Sequence, residues 1–148
     1  MIRPLRVVFL VWLLATSCLA ENRFHPNIIL ITLDTTRADR MGFLGSKRGL
    51  TPNLDAMAKQ GVVFSRAYSH VPLTTASHAT ILTGTYPQFN HVNDFGGALA
   101  ADLPFLPDLL HHSGYKTAAF VATVVLDAKG GIAPGIDRGF DASEPQEG

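Results

Sequence analysis

Short apolar runs alternate along the chain with stretches that have helical patterning. The apolar, β-branched run 27–33 predicts a fully buried strand of a parallel sheet. Further strands are predicted at 62–68 and 116–121, and helices at 52–60, 74–83 and 103–113, each helix followed by a glycine. Residues beyond Ala128 are rich in Gly, Pro and Asp, which predicts loop. The alternation predicts an α/β fold with a parallel-sheet core and flanking helices.

The first twenty residues differ in kind from the rest. Arg3 and Arg6 precede the uninterrupted apolar run 7–15, and small residues follow before Glu21. This pattern is typical of a secretory signal peptide, and the run is shorter than the ~20 residues of a bilayer span. We expect a signal peptide at 1–20, a polar linker at 21–26 and one domain at 27–148. A buried N-terminal helix is the alternative.

Two processing outcomes remain open for an exported, periplasmic or extracellular protein. Cleavage after Ala20 would release it, whereas a lipid on Cys18, in a stretch that loosely resembles a bacterial lipobox, would anchor it to a membrane. Cys18 is the only cysteine, so no disulfide forms within one chain. The 12 basic residues balance the 12 acidic ones, which gives no electrostatic case for binding nucleic acid.

Asp34 directly follows the first predicted strand. Ligands of open α/β sheets bind at the carboxyl ends of the strands, and hard divalent cations prefer oxygen ligands. Asp34 is therefore a candidate metal ligand, although an aspartate that caps a loop would look the same. Asp39 lies near Arg37 and Arg40 and is expected to pair with one of them.

Five blocks of the sequence carry a family resemblance, and they lie at 27–43, 50–69, 71–87, 114–120 and 135–141. In this order they resemble the opening strand and metal loop, the TPNLD helix, the nucleophile region, a later strand and the GFD segment of the sulfatase family, which belongs to the alkaline phosphatase superfamily. The resemblance implies the N-terminal portion of an alkaline phosphatase-like or sulfatase fold.

The resemblance also implies a divalent metal. The first aspartate of the family's metal loop is a ligand, which corresponds to Asp34 here. Many members carry a second acid at the next position, where this chain has Thr35 with only a neutral oxygen to offer. Ca²⁺ or Mg²⁺ is the first expectation, with Zn²⁺ or Mn²⁺ as alternatives.

Alignment of Leu82-Thr83-Gly84 with the family's LTG segment places Thr74 at the nucleophile position, where sulfatases carry Cys or Ser. Threonine is not converted to formylglycine, but phosphodiesterases and transferases of the superfamily use an unmodified Thr. A helix N terminus favours an anion, and a metal shared with Asp34 would activate the hydroxyl. The alternative is that Thr74 only caps the helix.

Three more residues become candidates through the same alignment. His78 lies four residues after Thr74, on the same helix face, and is expected to orient the anion, transfer a proton or bind metal. Ser77 and His91 are candidate substrate-binding residues, the latter because the family has a histidine after its Tyr-Pro pair. The family's Lys and His after the strand at 116–121 are missing here, which argues against a strictly sulfate-specific site.

The expected function is that of an exported metallohydrolase acting on a sulfate or phosphate ester of a small molecule, glycan or lipid. The family's second pair of metal ligands does not follow Phe140, so we expect this chain to be a truncated gene product or a fragment of a longer protein. The alternatives are a catalytically inactive binding module, secreted or lipid-anchored, and part of a phosphoryl transferase with a Thr nucleophile.

Overall fold

The computed structural model describes residues 25–130 and 132–145, so the predicted signal peptide, Cys18 and most of the predicted linker lie outside it. The chain divides into two compact units, 1–31 and 32–148. Of the first unit, residues 25–31 are described, and they form neither helix nor strand. Within the described ranges, no helix has the length and apolar character needed to cross a membrane.

The second unit contains four helices and two strands in its described part. The helices are α1 (Pro52–Ala58), α2 (Thr74–Thr83), α3 (Pro87–Asn90) and α4 (Leu106–His112), and the strands are β1 (Ala118–Val121) and β2 (Ala142–Pro145). Short 3₁₀ turns lie at Ala38–Arg40, Gly42–Leu44 and Val124–Leu126. The strands pair in parallel with Ala118 opposite Ala142, as the α/β prediction requires.

Helix α2 matches its predicted bounds, and its sequence explains both ends. Gly84 follows it in the left-handed conformation, with φ of 66°, and donates its N–H to the Thr80 carbonyl. Glycine adopts this conformation without a Cβ penalty, which ends the helix cleanly. Ala76 and Ala79 are fully buried, so small side chains let the helix pack closely against its neighbours.

The core of the second unit forms around α2. It combines the helix's two buried alanines with apolar residues from the following loops and from the segment before the second strand. The cluster consists of Ala76, Ala79, Val92, Leu99, Phe105, Ala133 and Ile136. Burial of this apolar surface provides the main stabilisation that fixes α2 in place.

Arg138 joins the C-terminal loop to α4. Its Nε lies 2.5 Å from an Asp108 carboxylate oxygen, and its two terminal nitrogens donate to the carbonyls of Ala100 and Leu103 at 2.9 and 2.8 Å. The guanidinium also lies 5.0 Å from the Phe105 ring centroid. Four groups, one carboxylate, two carbonyls and one aromatic ring, are thus organised by one planar cation, the geometry for which arginine is suited.

Two predicted strands are wrong. Residues 27–33 form no strand, and Ile29 and Ile31 expose 82% and 70% of their surface. Residues 62–68 form loop and turn, with Val62 and Phe64 exposed. An apolar run becomes a buried parallel strand only between partner strands, and the described residues provide a single parallel pair.

The remaining differences are at element ends and in one missed strand. Helices α1 and α4 are shorter than their predictions of 52–60 and 103–113, and β1 begins two residues later than expected. Strand β2 lies where loop was predicted, because the Thr117 N–H donates to the Asp141 carboxylate at 2.8 Å and holds the two segments side by side. This tertiary contact overrides a local sequence with no strand pattern.

Candidate active site

The centre of the site is a contact between two residues far apart in sequence. The Thr74 hydroxyl donates to an Asp34 carboxylate oxygen at 3.0 Å, across 40 positions of the chain. Asp34 is exposed and Thr74 is partly buried at the first residue of α2. The structure therefore brings together the predicted metal ligand and the predicted nucleophile.

Thr74 does not cap its helix. The N-cap position belongs to Leu73, whose side chain has no acceptor, and no side-chain hydrogen bond caps this end. The neighbouring Thr75 hydroxyl is buried, with the carbonyls of Phe95 and Val125 each at 2.7 Å. The first turn of α2 therefore has no side-chain acceptor for its free N–H groups, which favours an anion at this end.

His78 lies one helical turn after Thr74, as predicted. Its Nδ1 is 2.8 Å from the Thr74 carbonyl oxygen, and its Nε2 is 3.0 Å from the Thr32 hydroxyl. Both ring nitrogens thus have partners within the protein. Thr32 is not among the residues predicted from the sequence, since a lone hydroxyl in an apolar run has no pattern of its own.

Thr35 has an uncommon backbone conformation. Its φ is +55°, a left-handed value that β-branched residues rarely adopt. Its N–H donates to the other carboxylate oxygen of Asp34 at 2.8 Å. The turn therefore orients the carboxylate, so that one oxygen faces the Thr35 backbone and the other faces Thr74.

The two facing oxygens of Asp34 and Thr74 fit part of a divalent cation's coordination shell, because a carboxylate and a hydroxyl are oxygen ligands of the type that Ca²⁺ and Mg²⁺ prefer. In the ranges 25–130 and 132–145, no three His, Cys, Asp or Glu side chains cluster closely enough to hold a metal. Asp34 and Thr74 therefore account for two positions at most, and Thr35 remains a predicted third ligand.

The other predicted site residues are placed differently. The Ser77 hydroxyl lies 3.4 Å from that of Ser69, whose own proton is donated to the Val71 carbonyl at 2.7 Å. His91 follows α3 with φ of +59° and is exposed. Among the described residues, no hydrogen bond or ion pair joins His91 to Asp34, so its substrate-binding role stays a prediction.

Asp39 is confirmed as a structural partner of the nearby arginines. Arg37 binds its carboxylate through two nitrogens, each at 2.9 Å, and Arg40 lies 4.0 Å away. The hydrogen bond from Arg37 lowers the pKa of the Asp39 carboxyl. This carboxylate is already paired and does not extend the Asp34 site.

Comparison with known proteins identifies the family. The sequence model of the Sulfatase family matches residues 26–141. The N-acetylglucosamine-6-O-sulfatase of Bacteroides thetaiotaomicron is 34% identical over 98 residues, which cover 66% of this chain and 18% of that protein. The delta 4,5-hexuronate-2-O-sulfatase of the same organism is 30% identical over 131 residues, covering 85% of this chain and 26% of that protein.

A solved structure has the same fold. The phosphonate monoester hydrolase of Agrobacterium radiobacter superposes with a TM-score of 0.69 at 27% identity, covering 83% of this chain and 26% of that one. The chain spans between 12% and 26% of the length of the curated relatives compared. The sequence-based expectation of an alkaline phosphatase-like α/β fold is confirmed, and the chain belongs to the Sulfatase family.

Proposed function

We propose that the protein containing this chain hydrolyses sulfuric or phosphoric esters, with the Thr74 hydroxyl as the attacking group. The observation that carries the proposal is the 3.0 Å hydrogen bond from Thr74 to Asp34. A hydroxyl at a helix start that points at a carboxylate, and not at its own helix, has a stabilised orientation and a nearby proton acceptor.

The reaction would proceed in two displacements. Thr74 Oγ1 attacks the sulfur or phosphorus, its proton passes towards Asp34 Oδ2, and the bond to the leaving ester oxygen breaks as that oxygen takes a proton from water. Water then attacks the same centre and gives its proton to the hydroxide left by the first step, while the proton on Asp34 returns to Thr74 Oγ1 as the bond from that oxygen to sulfur or phosphorus breaks. The uncapped N–H groups at the start of α2 stabilise the charge on the non-bridging oxygens in both steps.

We propose Asp34 and Thr74 as ligands of a divalent cation, Ca²⁺ or Mg²⁺ before Zn²⁺ or Mn²⁺, with Thr35 as a further candidate. Such an ion would supply positive charge that lowers the pKa of the Thr74 hydroxyl and offsets the negative charge of the ester. Export through residues 1–20, with or without a lipid on Cys18, is part of the same proposal and rests on the sequence pattern alone.

The unmodified threonine favours phosphoester substrates at least as much as sulfate esters. The matched proteins include sulfatases by name and a phosphonate monoester hydrolase, whose named substrate is an ester of a phosphorus acid. Glycan, lipid and small-molecule esters all remain candidate substrates. Transfer of the phosphoryl group to an acceptor other than water would use the same first step.

The test is turnover by the full-length gene product with an aryl sulfate and an aryl phosphodiester, each with Ca²⁺ or Mg²⁺. Thr74→Ala is expected to lower kcat by ~10³-fold or more, because the attacking oxygen is removed. Thr36→Ala is the matched control, since that hydroxyl donates to the backbone oxygen of Asp34 at 3.3 Å and not to its carboxylate. A kcat of Thr74→Ala equal to that of the control would refute the assignment of Thr74 as the nucleophile.

A further inference from the structure

Two cross-links join the same pair of segments. Asp34 reaches Thr74 on α2, and Thr32, two residues earlier, reaches His78, one turn later on the same helix. Thr74 and His78 are four residues apart and therefore project from one helix face. Together the pairs form two adjacent hydrogen bonds that join residues 32–34 to α2.

The hydrogen bonds fix the state of the imidazole. The Thr74 carbonyl oxygen is only an acceptor, so the His78 Nδ1, 2.8 Å away, must carry a proton. In the neutral ring Nε2 is then bare and accepts the proton of the Thr32 hydroxyl at 3.0 Å. The tautomer of a histidine is set by the bond that its other nitrogen makes, and here both bonds agree.

We propose that Thr32 is a positioning residue that acts through His78 to hold Asp34 in line with Thr74. The proposal rests on the proposed function, in which Thr74 is the nucleophile. With both nitrogens engaged, His78 ties the Thr32–Asp34 segment to α2. Without the hydrogen bond between Thr32 and His78, the segment before Asp34 gains conformational freedom, and the 3.0 Å hydrogen bond from Thr74 to Asp34 is weakened.

The first experiment observes the tautomer directly. Two-bond ¹H–¹⁵N spectra of the histidine-labelled full chain distinguish a protonated from a bare ring nitrogen. We expect His78 to show a protonated Nδ1 and a bare Nε2. Thr32→Val removes the hydroxyl with little change of volume. Because Nδ1 keeps its bond to the Thr74 carbonyl, the variant is expected to move the signal of the bare Nε2 further from the protonated position.

The same spectrum contains its own control. His112 makes the equivalent bond from Nδ1 to the Asp108 carbonyl four residues earlier, at 2.6 Å, on helix α4. Its signals are expected to stay unchanged in Thr32→Val. A wild-type His78 protonated on Nε2, or a His78 spectrum that does not respond to Thr32→Val, would overturn the inference.

The second experiment is kinetic, on the full-length gene product. Thr32→Val is expected to lower kcat by ~10-fold with little change in KM, because mutation of residues that orient a site without touching the substrate typically lowers activity by ~10–100-fold. Thr32→Ser, which keeps the hydroxyl, is expected to restore most of kcat. Wild-type kcat in Thr32→Val overturns the positioning role and leaves Thr74 as nucleophile. Full turnover in Thr74→Ala overturns the proposed function, and the positioning role with it.

Discussion

Arg138 offers the sharpest test of how this unit is stabilised. The change is Arg138→Ala, with Arg138→Lys as a graded variant. The wild-type side chain is 21% exposed and its partner Asp108 is 25% exposed, so the pair is largely removed from water. The alanine variant leaves a carboxylate and two carbonyl oxygens, those of Ala100 and Leu103, without their donor.

The magnitude follows from these groups. Removing one partner of a fully buried pair costs ~3–5 kcal/mol, and the residual exposure reduces the share of the charged pair here to ~1 kcal/mol. The two carbonyl bonds, at about 1 kcal/mol each, bring the total for Arg138→Ala to ~3 kcal/mol. Lysine keeps a positive charge beside Asp108 but lacks the guanidinium nitrogens that donate to both carbonyls. Each lost hydrogen bond costs about 1 kcal/mol, so Arg138→Lys should lower the free energy of unfolding by ~2 kcal/mol. Against a total stability of ~5–15 kcal/mol, either loss is large.

The assay is urea unfolding followed by circular dichroism. With a slope of ~1.5 kcal/mol/M, Arg138→Ala should lower the midpoint by ~2 M and Arg138→Lys by somewhat more than half as much. Arg37→Ala is the matched control, because it removes an arginine–aspartate pair, joined by two nitrogens at 2.9 Å, whose side chains are 69% and 59% exposed. Such exposed pairs contribute little. Equal shifts for Arg138→Ala and Arg37→Ala would refute the reasoning.

Three further changes give measurable effects. Thr35→Gly should raise the free energy of unfolding by ~1 kcal/mol, because it removes the strain of a β-branched residue in the left-handed conformation at φ of +55°. A lower urea midpoint in the variant would contradict this. Gly42→Ala should cost ~2 kcal/mol, since its Cβ would collide with the Asp55 carboxylate that binds the Phe43 N–H; an unchanged urea midpoint would contradict it. The hydrogen bond from the Thr117 N–H, aided by Lys116, lowers the pKa of Asp141, so its stabilisation is present above the unfolded pKa of ~3.9 and is lost as pH falls through the folded pKa. Urea midpoints measured down to ~pH 3 should fall less steeply in Asp141→Asn, and parallel curves would count against this.

Helix α2 was predictable to the residue, whereas the strands were not. The helix ends at Gly84, and a glycine that follows a helix ends it through its own backbone conformation, without a distant partner. Strands depend on partners that lie elsewhere in the chain. The run 27–33 has the composition of a buried strand but no ladder in the described residues, and β2 is a strand only because Asp141 binds Thr117.

The candidate site divides in a similar way. Asp34 and Thr74 were singled out from the sequence, one by its place after an apolar run and both by the family resemblance. Their 3.0 Å contact spans 40 residues, and only the fold determines it. Thr32 was missed because a hydroxyl in an apolar run has no pattern of its own, and its meaning comes from the His78 nitrogen that it faces.

The most direct test of the account is a covalent adduct on Thr74. The full-length gene product is mixed with a phosphodiester or sulfate ester, quenched in acid and digested with trypsin, and the peptide 67–116, which contains Thr74, is sequenced by mass spectrometry. The account predicts a phosphoryl or sulfuryl group on Thr74 that is absent in Thr74→Ala. An adduct on any other residue, or steady turnover by Thr74→Ala, would contradict it.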